Sequence, residues 1–222
     1  VAMAVGSFRD EDELTVALLI DDDGRRSVQL HTAKEAAKSI SLSKEFRASP
    51  SRMFFHDADQ DGRRELVCLT PYEKVNILMQ AGPEKLVEIE VVPPGGTIAQ
   101  PSYGVADLDG DGKAELLLPQ KNFVRAVVLE QRADAGTWSF RVKEQINGES
   151  RSSKVASILA VMKGKKRRLY FLDSGRRQLS FCERNRDGVW SVRENRKLPV
   201  NDFHTLVPVA LNGSTVGVVG LN

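Results

Sequence analysis

A repeat of about fifty residues is the feature that most constrains this chain. Two segments carry it plainly. One runs Phe54-Phe55-His56-Asp57-Ala58-Asp59-Gln60-Asp61-Gly62-Arg63-Arg64-Glu65-Leu66-Val67-Cys68-Leu69. The other runs Gly104-Val105-Ala106-Asp107-Leu108-Asp109-Gly110-Asp111-Gly112-Lys113-Ala114-Glu115-Leu116-Leu117-Leu118, so that Asp57 and Asp107 stand 50 positions apart. The same step reaches three weaker copies of an apolar segment, a polar turn and a second apolar segment. These are Met3–Phe8 with Leu14–Ile20, Val155–Val161 with Arg168–Leu172, and Val207–Leu211 with Val216–Leu221. Self-similarity at such a period belongs to arrays of supersecondary units, each burying its apolar face on its neighbour.

The second half of each unit repeats too. Val75–Met79 faces Leu86–Val91 across Ala81-Gly82-Pro83, Arg125–Leu129 faces Thr137–Val142, and Gln178–Cys182 faces Val189–Val192. Trp138 and Trp190 hold the same place in consecutive units. Alternating apolar and polar residues mark these outer segments as half-buried antiparallel strands, whereas the inner ones are more continuously apolar. Four strands per unit at this period predict an all-β chain, a β-propeller of four-stranded antiparallel blades. Tandem β-sandwiches need about 100 residues each, and nothing repeats at that length. The expected blades are 1–50, 51–100, 101–150, 151–202 and a partial 203–222. A weak helical signal over Ala33–Lys38 is expected to decorate a loop of the first blade. The 222 residues make about 4.4 repeats, and both ends fall inside expected strands. The expectation is therefore a piece of a larger propeller, with seven blades as a candidate size, completed by remaining blades or a partner chain.

Asp-x-Asp-x-Asp-Gly occurs twice, each time between two strands. Carboxylates at alternate residues of a tight loop converge, and a hard cation such as Ca²⁺ takes six to eight oxygens. The expected ligands are Asp57, Asp59, Asp61, the Arg63 carbonyl and Glu65, then Asp107, Asp109, Asp111, the Lys113 carbonyl and Glu115. Two structural calcium ions are predicted, because four carboxylates in so short a loop repel one another without a cation. An EF-hand is rejected on spacing: its twelfth position, a Glu, falls on Cys68 and Leu118. The turn Arg9-Asp10-Glu11-Asp12-Glu13 is shorter and lacks Gly. The turn Lys163–Arg168 is basic where its counterparts are acidic, and reads as a solvated hairpin without metal. Asn212-Gly213 signals a type I′ hairpin.

The run Val105–Leu116 resembles the core of the FG-GAP/VCBS repeat of integrin α-subunit propellers and bacterial surface proteins. The resemblance implies an Asp-rich loop between the first two strands of a blade, holding structural Ca²⁺. Glu65 and Glu115 stand where that family more often has Asp. The Phe-Gly and Gly-Ala-Pro motifs are not evident, so a divergent, bacterial-type member is implied.

Other chemistry has little support. With 32 basic and 30 acidic residues, the chain generates no global field for nucleic acid. No apolar run approaches the roughly 20 residues of a membrane-spanning helix, so neither nucleic acid nor membrane insertion is expected. His31, His56 and His204 are too scattered for a triad or zinc site. Cys68 is expected inside the second blade and Cys182 on an outer strand, neither activated. The expectation is a non-catalytic, calcium-stabilised module binding a protein or carbohydrate on its loop face, with Arg47–Ser51 and Val92–Ser102 as candidate loops. An extracellular, periplasmic or cell-surface setting suits millimolar calcium. The alternative is a carbohydrate lyase or dehydratase, or its accessory domain.

Overall fold

The computed structural model describes residues 2–8, 13–34, 36–82, 85–133, 136–163, 166–199, 203, 205–211 and 215–221. Side chains at 162, 163, 166, 210, 211 and 215–221 are not described. The short acidic turn at 9–12, the tip of the basic turn at 164–165, His204 and Asn212-Gly213 lie outside the described residues.

Strands account for the regular structure. β1 (Met3–Ser7), β2 (Leu14–Asp22), β3 (Arg25–Thr32) and β4 (Lys38–Ser41) form the first sheet in chain order. β5 (Arg52–His56), β6 (Glu65–Leu69), β7 (Val75–Gln80) and β8 (Leu86–Val91) form the second. The third contains β9 (Gly104–Ala106), β10 (Glu115–Gln120), β11 (Phe123–Gln131) and β12 (Trp138–Asn147). The fourth contains β13 (Val155–Lys163), β14 (Lys166–Asp173), β15 (Gln178–Arg184) and β16 (Trp190–Lys197). β17 (Thr205–Leu211) and β18 (Thr215–Leu221) pair as a hairpin. Four four-stranded antiparallel meanders, whose first strands begin at residues 3, 52, 104 and 155, are propeller-like blades. Among the described residues there is no helix, and none long and apolar enough to cross a membrane. The expected helical turn near Ala33 is instead an irregular approach to β4, whose first residue is Lys38.

The burial pattern follows the blade logic. β6 and β10 are buried at every residue, as expected of strands covered on both faces. β2 alternates, burying Thr15, Ala17 and Leu19 on one face. Cys68 lies on β6 as expected. Cys182 lies on the third strand of its sheet, fully buried; burial pushes both thiols up to about 12 and leaves them inert.

The chain forms two compact units: residues 1–101 with 128–141, and 102–127 with 142–222. In the first, Ala4, Ala17, Leu19, Val28 and Leu30 of the first sheet pack on Met53, Leu66, Cys68 and Leu78 of the second. In the second, Leu117, Val124 and Ala126 pack with Ile158, Leu169, Phe171 and Cys182, while Ala156 and Leu172 cover Leu206. The innermost strands need small residues. A Cβ at Gly6 would stand 3.0 Å from the Phe55 ring, and one at Gly104 3.1 Å from Ile158 Cγ2. The two glycines thus let the first strand of one blade approach the first strand of the next.

Candidate functional site

The first acidic loop is dictated by its neighbours. His56 ends β5 directly across from Glu65, which opens β6, so residues 57–64 must turn the chain in a confined space. Short carboxylates do this by accepting nearby backbone donors. Asp57 Oδ2 accepts from Gly62 N at 3.0 Å, Asp59 Oδ1 from Asp61 N at 3.1 Å and Asp61 Oδ1 from Arg63 N at 2.8 Å. Buried Glu65 accepts from Ala58 N at 2.7 Å, and Ala58 O in turn accepts from Leu129 N on β11 at 2.7 Å. Gln60 and Gly62 take left-handed backbone, φ 62° and 92°.

The result is convergence. One carboxylate oxygen from each of Asp57, Asp59 and Asp61 lies within 4.8 Å of the others. Asp57 Oδ1 is buried without a hydrogen-bond partner. The electrostatics express crowding. Burial pushes Glu65 up to about 8, with Asp59, Asp57 and Asp61 adding to the effect. Burial and the neighbouring Asp61 and Asp57 also raise Asp59. Burial acts upward on Asp61 as well, but the Arg63 side chain and amide outweigh it and hold the carboxyl down. His56 is pushed down to about 4 by burial and by Arg64.

The second loop repeats the scaffold almost bond for bond. Asp107 Oδ2 accepts from Gly112 N at 3.1 Å, Asp109 Oδ1 from Asp111 N at 3.2 Å, Asp111 Oδ1 from Lys113 N at 2.8 Å, and Glu115 from Leu108 N at 2.7 Å. Here Gly110 replaces Gln60 at the first left-handed position, φ 90°, and its N–H reaches Asp107 Oδ1 at 2.6 Å. The converging set is Asp107, Asp109 and Glu115, with Asp111 outside it.

Two cations that the loop sequence does not contain stand against this set. Lys143 of β12 places Nζ 2.5 Å from Asp109, 3.2 Å from Asp111 and 3.4 Å from Glu115 Oε1. Arg167 of β14 donates from Nη2 to Asp107 Oδ2 at 2.7 Å. The Lys143 hydrogen bond holds Asp109 below the usual carboxylate range, and the acidic partners raise Lys143. Glu115 is still raised, because its burial outweighs the lysine. Arg167 belongs to the basic turn at 163–168, and this side chain of the turn is not merely solvated: it pairs with Asp107 in the acidic loop of the preceding blade.

Residues 57–118 match the family described as the FG-GAP-like repeat. That match spans both acidic loops, from Asp57 to the end of the Leu116-Leu117-Leu118 run. The comparison with curated proteins gives no match.

Chain direction puts the first acidic loop and the candidate ligand loops at opposite ends of the second blade. The acidic loop joins the first strand to the second. The turn between β6 and β7 and the connections between blades lie at the other end. There Glu73 accepts from Arg47 N at 2.9 Å, and Tyr72 N donates to Ile98 O at 2.8 Å. Tyr72, at φ 59°, is 71% exposed, and Val92, just after β8, is 57% exposed. Tyr72 gave no signal in the sequence; a left-handed tyrosine is visible only once the backbone is known. In the second unit a cavity of about 540 Å³ is lined by Leu108, Asp109, Glu144, Arg167, Glu183, Arg184 and Trp190. Its acids are engaged: Arg184 Nη2 and Trp190 Nε1 donate to Glu144 at 2.6 and 2.8 Å, and Arg168 stands 2.7 Å from Glu183.

Proposed function

We propose that this chain is a calcium-stapled propeller module of the cell exterior or envelope, binding a protein or carbohydrate through the loops opposite its acidic ones. The observation that carries the reading is the first loop: three converging aspartates, a buried Asp57 oxygen with no partner, and a glutamate that burial drives towards protonation. A hard dication corrects all three features at once. Asp57, Asp59, Asp61 and Glu65 would hold it by side-chain oxygens, with the Arg63 carbonyl as a backbone donor. The ion would supply charge and cross-linking. It would anchor the loop whose Ala58 carbonyl receives the Leu129 amide.

Two features favour binding over catalysis. The polar groups of the cavity near Trp190 are committed to ion pairs and hydrogen bonds, with one another or with Lys143, Asp107 and Arg168 outside the lining, which suits a scaffold better than proton transfer. At the opposite blade end, Tyr72 and Val92 offer the amphipathic surface that protein and sugar ligands use. An exported setting supports the metal reading because loops of modest affinity are filled by millimolar calcium.

Thermal unfolding tests the metal. EDTA should lower Tm by roughly 5–10 °C relative to calcium at 100-fold over Kd, and Asp59→Asn should abolish the difference. An unchanged Tm in both buffers overturns the reading. A glycan array probed with wild type and Tyr72→Ala tests the ligand surface, with retention lost in the variant.

A further inference from the structure

The two acidic loops have one backbone scaffold and four matching carboxylates, yet their surroundings differ in charge. Around residues 107–115, every carboxylate faces a side-chain cation brought from elsewhere in the fold. Arg167 takes Asp107, and the Lys143 ammonium spans Asp109, Asp111 and Glu115. The Lys143 side chain is 17% exposed and bridges buried Glu115 to Asp109 and Asp111, which stay open to solvent at 36% and 41%. A dication at the same point would stand against that ammonium and could enter only after the lysine had left. Around residues 57–65 the cation on the acidic side chains, among the described residues, is Arg63. It grips Asp61 from the solvent side, 56% exposed. Arg64 turns away to Ser7 Oγ at 2.9 Å. Each loop keeps one buried carboxylate oxygen without a hydrogen-bond donor, Asp57 Oδ1 in the first and Glu115 Oε1 in the second, but Glu115 Oε1 has the Lys143 ammonium 3.4 Å away.

We infer that Lys143 is the resident cation of the second loop, so that this loop is held without metal and calcium enters the first loop alone. The inference rests on the calcium reading only for the first loop. For the second it rests on the position of the lysine. Lys143 acts here as a positioning residue: it fixes the loop that carries Asp109 and Asp111 and excludes a competing ion. The arrangement converts one of two equivalent staples from a calcium-dependent into a calcium-independent one.

Equilibrium dialysis with radioactive calcium on the whole chain tests this. The expected stoichiometry is one ion for wild type, none for Asp59→Asn and two for Lys143→Met, with Lys143→Gln as a second variant of different polarity. Circular dichroism in saturating calcium accompanies each measurement, and calcium should restore any stability that loss of the lysine removes. If wild type binds none but a Lys143 variant gains one ion, the inference stands and the calcium reading of the first loop falls. Two ions in wild type overturn it. So does a folded Lys143 variant with no added ion, or failure of both variants to fold even in saturating calcium.

Discussion

Loops 57–65 and 107–115 place one scaffold in two electrostatic settings. Their backbone hydrogen bonds correspond to within about a tenth of an ångström. The protonation behaviour does not correspond. In the first loop burial and mutual repulsion raise Asp59 and drive Glu65 to about 8. In the second the lysine holds Asp109 low. A short acidic turn fixes its own backbone, but the source of its neutralising charge is decided by strands distant in sequence. Motif identity therefore predicts shape better than it predicts ligand.

The largest expected effect tests whether the blades themselves are equivalent. Leu66 and Leu116 hold matching, fully buried places just after the two loops. Leu66→Ala and Leu116→Ala should each cost about 2–5 kcal/mol in urea unfolding. Losses differing by more than the spread of such measurements would move the contrast from the loops to the cores. Next comes pH, in calcium-free buffer. Glu65 has its folded pKa raised from 4.5 to about 8, so its contribution is full below about 4.5 and lost as pH rises towards 8. His56, lowered from 6.5 to about 4, has the opposite sign: its contribution is present above about 6.5 and lost as pH falls towards 4. The two oppose each other below 6.5. Between pH 6.5 and 8 stability should fall by up to about 2 kcal/mol, and saturating calcium should flatten the slope. A flat metal-free profile would contradict the crowding described for the first loop.

Smaller effects sharpen the same contrast. Lys143→Ala in calcium-free buffer should cost about 1–2 kcal/mol, since it strands three carboxylates, buried Glu115 among them, while Arg63→Ala should cost clearly less because its pair is exposed. Equal losses would make the lysine an ordinary surface partner. Gln60→Gly should stabilise by up to about 1 kcal/mol, by relieving a left-handed non-glycine residue where the second loop already has Gly110.

The blades were legible because their signals are local and repeated. Apolar segments recur at positions 3, 52, 104 and 155, and the acidic turns between Phe54 and Leu69 and between Gly104 and Leu118 write their own hydrogen bonds. Lys143 was not legible: on an outer strand of alternating polarity it reads as any solvated lysine. Arg167 left a trace, since the basic turn at 163–168 follows an acidic one by about one period, but a charge reversal does not name its partner. Pairings between blades depend on register and twist that no short window encodes. The difference between a loop whose carboxylates crowd one another and a loop held by a lysine was therefore hidden, although both loops were found.

Hydrogen exchange with and without calcium tests the contrast most directly. The reporters are the amides of Asp61, Gly62 and Arg63 against those of Asp111, Gly112 and Lys113, which donate to equivalent carboxylates. Calcium should slow exchange across residues 57–65 and leave residues 107–115 unchanged. Equal protection of both loops, or of neither, would contradict the account.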